Sequence, residues 1–222
     1  MHREIKDRLF AEFARMGKAV SSPRRIELLD LLAQGERTVE RIAEETALTV
    51  KNASAHLQAL RRARLVETRR EGTRVFYRLA GQDVFRFLRA LQDLGRERLA
   101  EADRIVRLFY EDPTGLEPVD AVELRRRLDG GDVVVLDVRP REEYLAGHLP
   151  GAISIPVEEL EKRLAELPGS GEIVAYCRGP YCLFSGEAVE LLRRHGFRAR
   201  RLAPGLPDWQ AQGFPVAVGN ES

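Results

Sequence analysis

The sequence predicts two domains: a mainly α unit that ends in a β-hairpin, then an α/β unit built on a parallel sheet. Three observations carry this expectation. First, apolar residues recur at helical spacing up to residue 62, and two short runs then flank Glu71 and Gly72. Second, beyond residue 118 apolar runs of strand length alternate with helical patterns. Third, the net charge of +1 over 222 residues hides an asymmetry. Residues 1–110 carry 23 Lys and Arg against 16 Asp and Glu, a balance of +7, and residues 111–222 carry 13 against 19, a balance of −6. A basic half joined to an acidic half points to one domain with an anionic partner. A solvated surface of mixed charge is the other reading, and the motifs of the basic half decide between them.

The composition, 44% hydrophobic, is enough for ordinary globular cores. No apolar run approaches the ~18 residues of a transmembrane helix. The first residues are charged and amphipathic, without the apolar core of a signal peptide. Two cysteines make no disulfide framework. The expectation is a cytoplasmic protein with no membrane partner.

The first helix is expected over 3–19, where Ile5, Leu9, Phe10, Phe13 and Met16 recur at helical spacing. Pro23 suits the first turn of a second helix, 23–33. Thr38 is a natural N-cap for a short third helix with Val39, Ile42 and Ala43 inward. Thr49 caps a fourth. It turns Ala53, Leu57 and Leu60 inward and Lys51, Asn52, Ser54, Ala55, Gln58, Arg61 and Arg62 outward. A strand starts at Leu65 and Val66, Gly72 turns the chain, and residues 75–79 return as the second strand.

Short helix, turn, helix and basic hairpin make a winged helix-turn-helix, whose second helix suits the major groove. The outward face of helix 49–62 is expected to read bases of double-stranded operator DNA. Arg69, Arg70 and Arg74, at the wing tip, are expected to contact phosphates. The runs Arg25–Leu29, Thr38–Ala43, Ala53–Arg61 and Leu65–Leu79, in this order and spacing, closely resemble ArsR-type bacterial repressors. A long helix is expected over 82–110. In the resembled family the first and last helices form the interface of a homodimer, and two DNA half-sites suit such symmetry. A helix packed on its own domain is the other reading.

Residues 1–110 are thus assigned to the DNA-binding and dimerisation domain. Residues 111–118, with two prolines, form a stiff linker, and 119–222 the second domain. There a helix is expected over 119–128 with Asp120 as cap, a buried strand over 132–137 and a helix over 157–166. Strands follow over 172–176 and 200–203, with a helix from Ser185 between them. Such a sheet places its site at the carboxyl ends of the strands.

Cys177 stands at such an end. Gly179 and Pro180 break regular structure after it, and the next helix begins within a few residues. Converging N–H groups and the helix N-terminus both favour a thiolate. Two buried structural cysteines are the alternative. The run from Asp137 through Arg139, Glu143, Tyr144 and Gly147–Ala152 lies upstream. Gly205, Trp209 and Gly213–Val216 lie downstream. With the strand-ending Cys177, these motifs resemble a rhodanese, or sulfurtransferase, domain over about residues 117–219.

The resemblance implies that Cys177 is the nucleophile, taking sulfur from a sulfane sulfur donor (thiosulfate, polysulfide or persulfide) and becoming a persulfide. The loop Arg178, Gly179, Pro180, Tyr181, Cys182 and Leu183 would hold it. All these residues but Pro180 offer N–H donors, and Arg178 offers a cation for an anionic donor. Many rhodaneses carry Arg, Lys, Ser or Thr where this chain has Cys182, so the resemblance does not extend to thiosulfate specificity. Related cysteine phosphatases end a longer loop in an Arg; position 183 is Leu, which disfavours that chemistry. Asp137, Arg139, Glu143 and His148 read as a frame of ion pairs and hydrogen bonds behind the loop, and Trp209 as core. Two states of Cys182 are open: buried and inert, the preferred reading, or bridged to Cys177.

Four scattered histidines and no cysteine in the basic half give no metal-ligand spacing, and no cofactor is expected. The expected function is a transcriptional repressor whose DNA affinity is set by its sulfurtransferase-like domain. A sulfurtransferase enzyme using the winged helix for assembly or localisation is the alternative.

Overall fold

The computed structural model describes residues 1–111, 114, 116–131 and 133–220. The expected linker therefore falls partly outside the described residues, as does Asp132. The chain divides into two compact units, Met1–Gln92 and Asp93–Ser222.

The first unit opens with α1 (His2–Val20) and α2 (Pro23–Ala33), then β1 (Arg37–Thr38), α3 (Val39–Glu45) and α4 (Val50–Arg62). The hairpin β2 (Val66–Glu71) and β3 (Arg74–Leu79) follows. Both expected caps are present: Thr38 Oγ1 accepts from the Arg41 N–H at 3.4 Å, and Thr49 Oγ1 from the Asn52 N–H at 3.2 Å. The sheet has one strand more than the hairpin, because β1 pairs antiparallel with β3 in the order β1-β3-β2. Leu28, Leu29, Ile42, Leu57 and Leu60 are fully buried between these elements. Each contributes about 1.5–3 kcal/mol of transfer free energy. On α1, by contrast, Ile5, Leu9, Phe10 and Phe13 are all more than half exposed.

The single helix expected over 82–110 is two: α5 (Gln82–Arg98) and α6 (Ala100–Phe109). Leu99 between them is extended, with φ −110° and ψ 104°. Gly95, a weak helix former, lies one turn before the break. Arg96 reaches across it to Asp103 (3.3 Å) and Glu111 (2.5 Å). Glu101 and Asp103 provide the acidic first turn of a new helix. The compact units part at residue 92, within α5.

In the second unit α7 (Ala121–Gly130), capped by Asp120, leads to β4 (Val133–Asp137) and α8 (Arg141–Ala146). Then come β5 (Ile153–Ser154), α9 (Val157–Leu160), β6 (Glu172–Tyr176), α10 (Phe184–Arg194), β7 (Arg198–Arg201) and α11 (Leu206–Ala211). All four strands are parallel, in the order β5-β4-β6-β7. The expected helix 157–166 is one turn, α9, followed by a 3-10 turn at Leu164–Glu166. The expected last strand, 200–203, lies two residues earlier, and Leu202 bridges to Val119 instead. Because β4 and β6 are parallel, with Asp137 opposite Tyr176, the residues that follow both strands emerge at the carboxyl end of the sheet.

Candidate functional site

The frame behind that end of the sheet is ionic and buried. Asp137 and Arg139 are fully buried, with Arg139 Nη2 2.6 Å from Asp137 Oδ2 and 2.7 Å from the Gly147 carbonyl. The Tyr176 hydroxyl donates to Asp137 Oδ2 at 2.5 Å and accepts from the Leu149 N–H at 3.1 Å. Burial pushes the Tyr176 phenol well above its ordinary value, so it remains the donor. The His148 ring stacks on Tyr144, and its main chain exchanges two 2.9 Å hydrogen bonds with Ala217. These residues hold backbone in place. Trp209, also fully buried, donates to the Pro215 carbonyl at 2.8 Å and is core.

Cys177 leaves β6 and is 2% exposed, in the same apolar cluster as Leu136, Val138 and Ala188. Gly179 then adopts φ +145°, a conformation that side chains disfavour. The Cys182 N–H closes the turn by donating to the Gly179 carbonyl at 3.2 Å. That engagement removes it from the cradle of donors the sequence suggested. The turn carries Cys182 back, and the sulfurs of Cys177 and Cys182 are paired, with Cα atoms 6.5 Å apart. The bridged state is thus the one seen, against the preferred reading of an inert Cys182. The four residues between them reverse the chain, so the two side chains converge.

The other loop residues are placed as follows. Arg178 turns from the loop to Glu143, Nη2 to Oε1 2.6 Å, and its guanidinium lies over Phe184. The expected grip on an anionic donor is therefore engaged elsewhere. The Pro180 carbonyl faces Arg201 at 3.5 Å. Tyr181 meets the Tyr110 ring edge-on at 6.0 Å, and Arg201 also donates to the Tyr110 carbonyl. Leu183 is exposed ahead of α10. At Gly205, which the sequence marks only as part of a motif, a Cβ would collide with the Arg178 carbonyl. The glycine hydrogen lets α11 approach the loop backbone. Tyr110 as a neighbour of the loop had no signal in the sequence.

In the first unit, Lys51, Asn52, Ala55 and Arg61 are exposed on α4 and Ser54 is half-buried beside them. Gln58 is drawn inward, its Nε2 3.4 Å from the Tyr77 hydroxyl. Arg70 and Arg74 are exposed near the hairpin tip. Arg69 is held by Glu36 at 2.5 Å and Glu71 at 2.7 Å. Its hydrogen bonds lower the Glu36 carboxyl below the usual carboxylate range. Among the described residues no three His, Cys, Asp or Glu gather as a metal-ligand group. Among the described residues no helix is long and apolar enough to cross a membrane.

Residues 22–68 match the family described as bacterial regulatory protein, arsR family, and residues 120–212 match the rhodanese-like domain. The chain is 49% identical over 217 residues to the HTH-type transcriptional regulator Rv0324 of Mycobacterium tuberculosis, covering 96% of this chain and 94% of that one. The chain belongs to the ArsR family of bacterial regulators. This ArsR-family chain carries its rhodanese-like domain at the C-terminal side of the winged helix-turn-helix. The rhodanese part is similar to a sulfurtransferase of Allochromatium vinosum, 31% identical over 102 residues, 45% of this chain and 94% of that one. The ArsR part is similar to the homodimeric winged helix-turn-helix DNA-binding domain Mb0332 of Mycobacterium bovis. That structure is 52% identical, with TM-score 0.41, over 42% of this chain and 87% of that one.

Proposed function

We propose that this regulator binds operator DNA as a homodimer and represses transcription, and that its rhodanese domain sets the DNA affinity by taking up sulfane sulfur on Cys177. The observation that carries the reading is Cys177 at the carboxyl end of β6, in a loop that runs into the N-terminus of α10, on a chain whose other unit is a helix-turn-helix. In the thiol state the Cys177 sulfur attacks the outer sulfur of thiosulfate, a polysulfide or a low-molecular-weight persulfide. The bond to that outer sulfur forms on Cys177, and sulfite or the shortened thiol leaves with the electron pair. A helix N-terminus and loop N–H groups stabilise the resulting anion. The exposed face of α4 reads the operator through Lys51, Asn52, Ser54, Ala55 and Arg61, and Arg70 and Arg74 contact phosphates. The apolar face of α1 supports the homodimer, since four large exposed apolar side chains at helical spacing are costly in water.

The test is a gel shift on the DNA upstream of the chain's own gene, with reduced protein and with protein treated with a persulfide donor. Donor treatment should change the affinity of wild type and leave Cys177→Ser unaffected. An equal response of Cys177→Ser would remove Cys177 from the signal. Rapid turnover of thiosulfate with no donor effect on DNA binding would favour the sulfurtransferase reading, which the Allochromatium vinosum relative supports.

A further inference from the structure

We infer that Cys182 is the resolving thiol of this site, so that the domain reduces sulfane sulfur to sulfide and stores the event as a Cys177–Cys182 disulfide. This rests on the sulfane-sulfur reading above and extends it by naming the second reacting residue and the product. The two sulfurs are paired in the structure, and the Cα separation of 6.5 Å lies inside the range of about 4.4–6.8 Å that a disulfide spans. No other cysteine exists in the chain to compete. The Gly179 turn and the Cys182 N–H bond to its carbonyl bring the second thiol back to the first. Burial favours the same partner. Cys177 is buried in an apolar cluster, and Cys182, half-buried, packs against that cluster. An external thiol must enter to take the sulfur, whereas Cys182 is already beside it.

The step balances. Cys177 first holds the incoming sulfur as Cys177–S–SH. The Cys182 thiolate attacks the inner sulfur, the Cys177 Sγ. A Sγ–Sγ bond forms, the bond to the outer sulfur breaks, and that sulfur leaves with the electron pair as hydrosulfide. Two thiols are oxidised to one disulfide, and one sulfane sulfur is reduced to sulfide. A dithiol reductant returns both cysteines to thiols, and Cys182, the less buried of the two, is where it enters.

The experiment uses the full chain, reduced, desalted without oxygen and given one equivalent of glutathione persulfide. Intact mass and released sulfide are read together, with Trp209 fluorescence as a check of folding. Wild type should lose two hydrogens and release one sulfide per chain, and a reductant should reverse the mass change. Cys182→Ala and the closer mimic Cys182→Ser should instead gain one sulfur and keep it, with no sulfide released. Wild type that holds the added sulfur as stably as the variants do would overturn the resolving role and leave the persulfide reading standing. Variants that gain neither sulfur nor sulfide release, or that gain glutathione in place of sulfur, would overturn the persulfide reading and this one with it.

Discussion

The Arg178 guanidinium closes on the Glu143 carboxylate, with Nε 3.0 Å and Nη2 2.6 Å from Oε1, and so the first residue after Cys177 is anchored to α8. Glu143 is 5% exposed. Arg178→Ala should therefore cost about 1–3 kcal/mol, since a carboxylate that water barely reaches loses the charge-assisted hydrogen bonds from Nε and Nη2. Urea unfolding followed by the single Trp209 reads it. A loss within the range of an ordinary surface arginine would mean that the pair is idle. The donor KM should move little, because the side chain is committed to Glu143.

On the hairpin, Arg74 and Arg69 should behave differently towards DNA. Arg74→Ala should weaken binding to every sequence alike and flatten the salt dependence by about 0.9 log units per log unit of salt, the amount expected for one phosphate contact. Arg69 is already paired with Glu36 and Glu71, so Arg69→Ala should change the slope less. Salt titrations of the gel shift compare the two, and identical slopes for wild type and Arg74→Ala would place the tip off the DNA.

The exposed face of α1 should hold the dimer. Phe13, 58% exposed, lies near the middle of the apolar stripe with Leu9 and Phe10. Phe13→Asp places a charge that would have to be desolvated in any interface there. Light scattering should show a halved mass with the helical content unchanged, and operator affinity should fall with it. A dimer that persists would move the interface to another surface.

Alkaline pH should loosen the rhodanese domain through Tyr176. An unfolded tyrosine titrates near 10.0, and burial raises the folded phenol well above that. The folded state therefore holds its proton where the unfolded state releases it. This contribution is complete below pH 10 and is lost as pH rises beyond it. Tyr176→Phe should cost about 1–3 kcal/mol at neutral pH, because Asp137 loses a donor and the Leu149 N–H an acceptor. The same variant should show a shallower fall above pH 10. Some slope should remain, because burial also raises Tyr144. Urea midpoints from pH 8 to pH 11 test both statements.

What the sequence could determine was local or nearly so. Thr38, Thr49 and Asp120 cap the helices they precede, since a capping oxygen needs only the N–H groups of the next turn. Helical periodicity marked the inward faces of α2 and α4. The apolar runs marked β4 and β6, and with them the place of Cys177 at a strand end. Short elements such as β1 and β5 carry too few residues for a period to show.

The rest was decided by partners distant in the chain. Arg69 finds Glu36 at a separation of 33 residues and Arg178 finds Glu143 at 35, and neither pairing leaves a trace in the spacing of either residue. Each turns an arginine that reads as a free cation into one committed to a carboxylate. Across the break at Leu99, Arg96 reaches Glu111, 15 residues on. Even the meeting of Cys177 with Cys182, only five residues apart, waited on the tertiary structure. The loop that brings them together has φ +145° at Gly179 and lies against Gly205, where a Cβ would meet the Arg178 carbonyl.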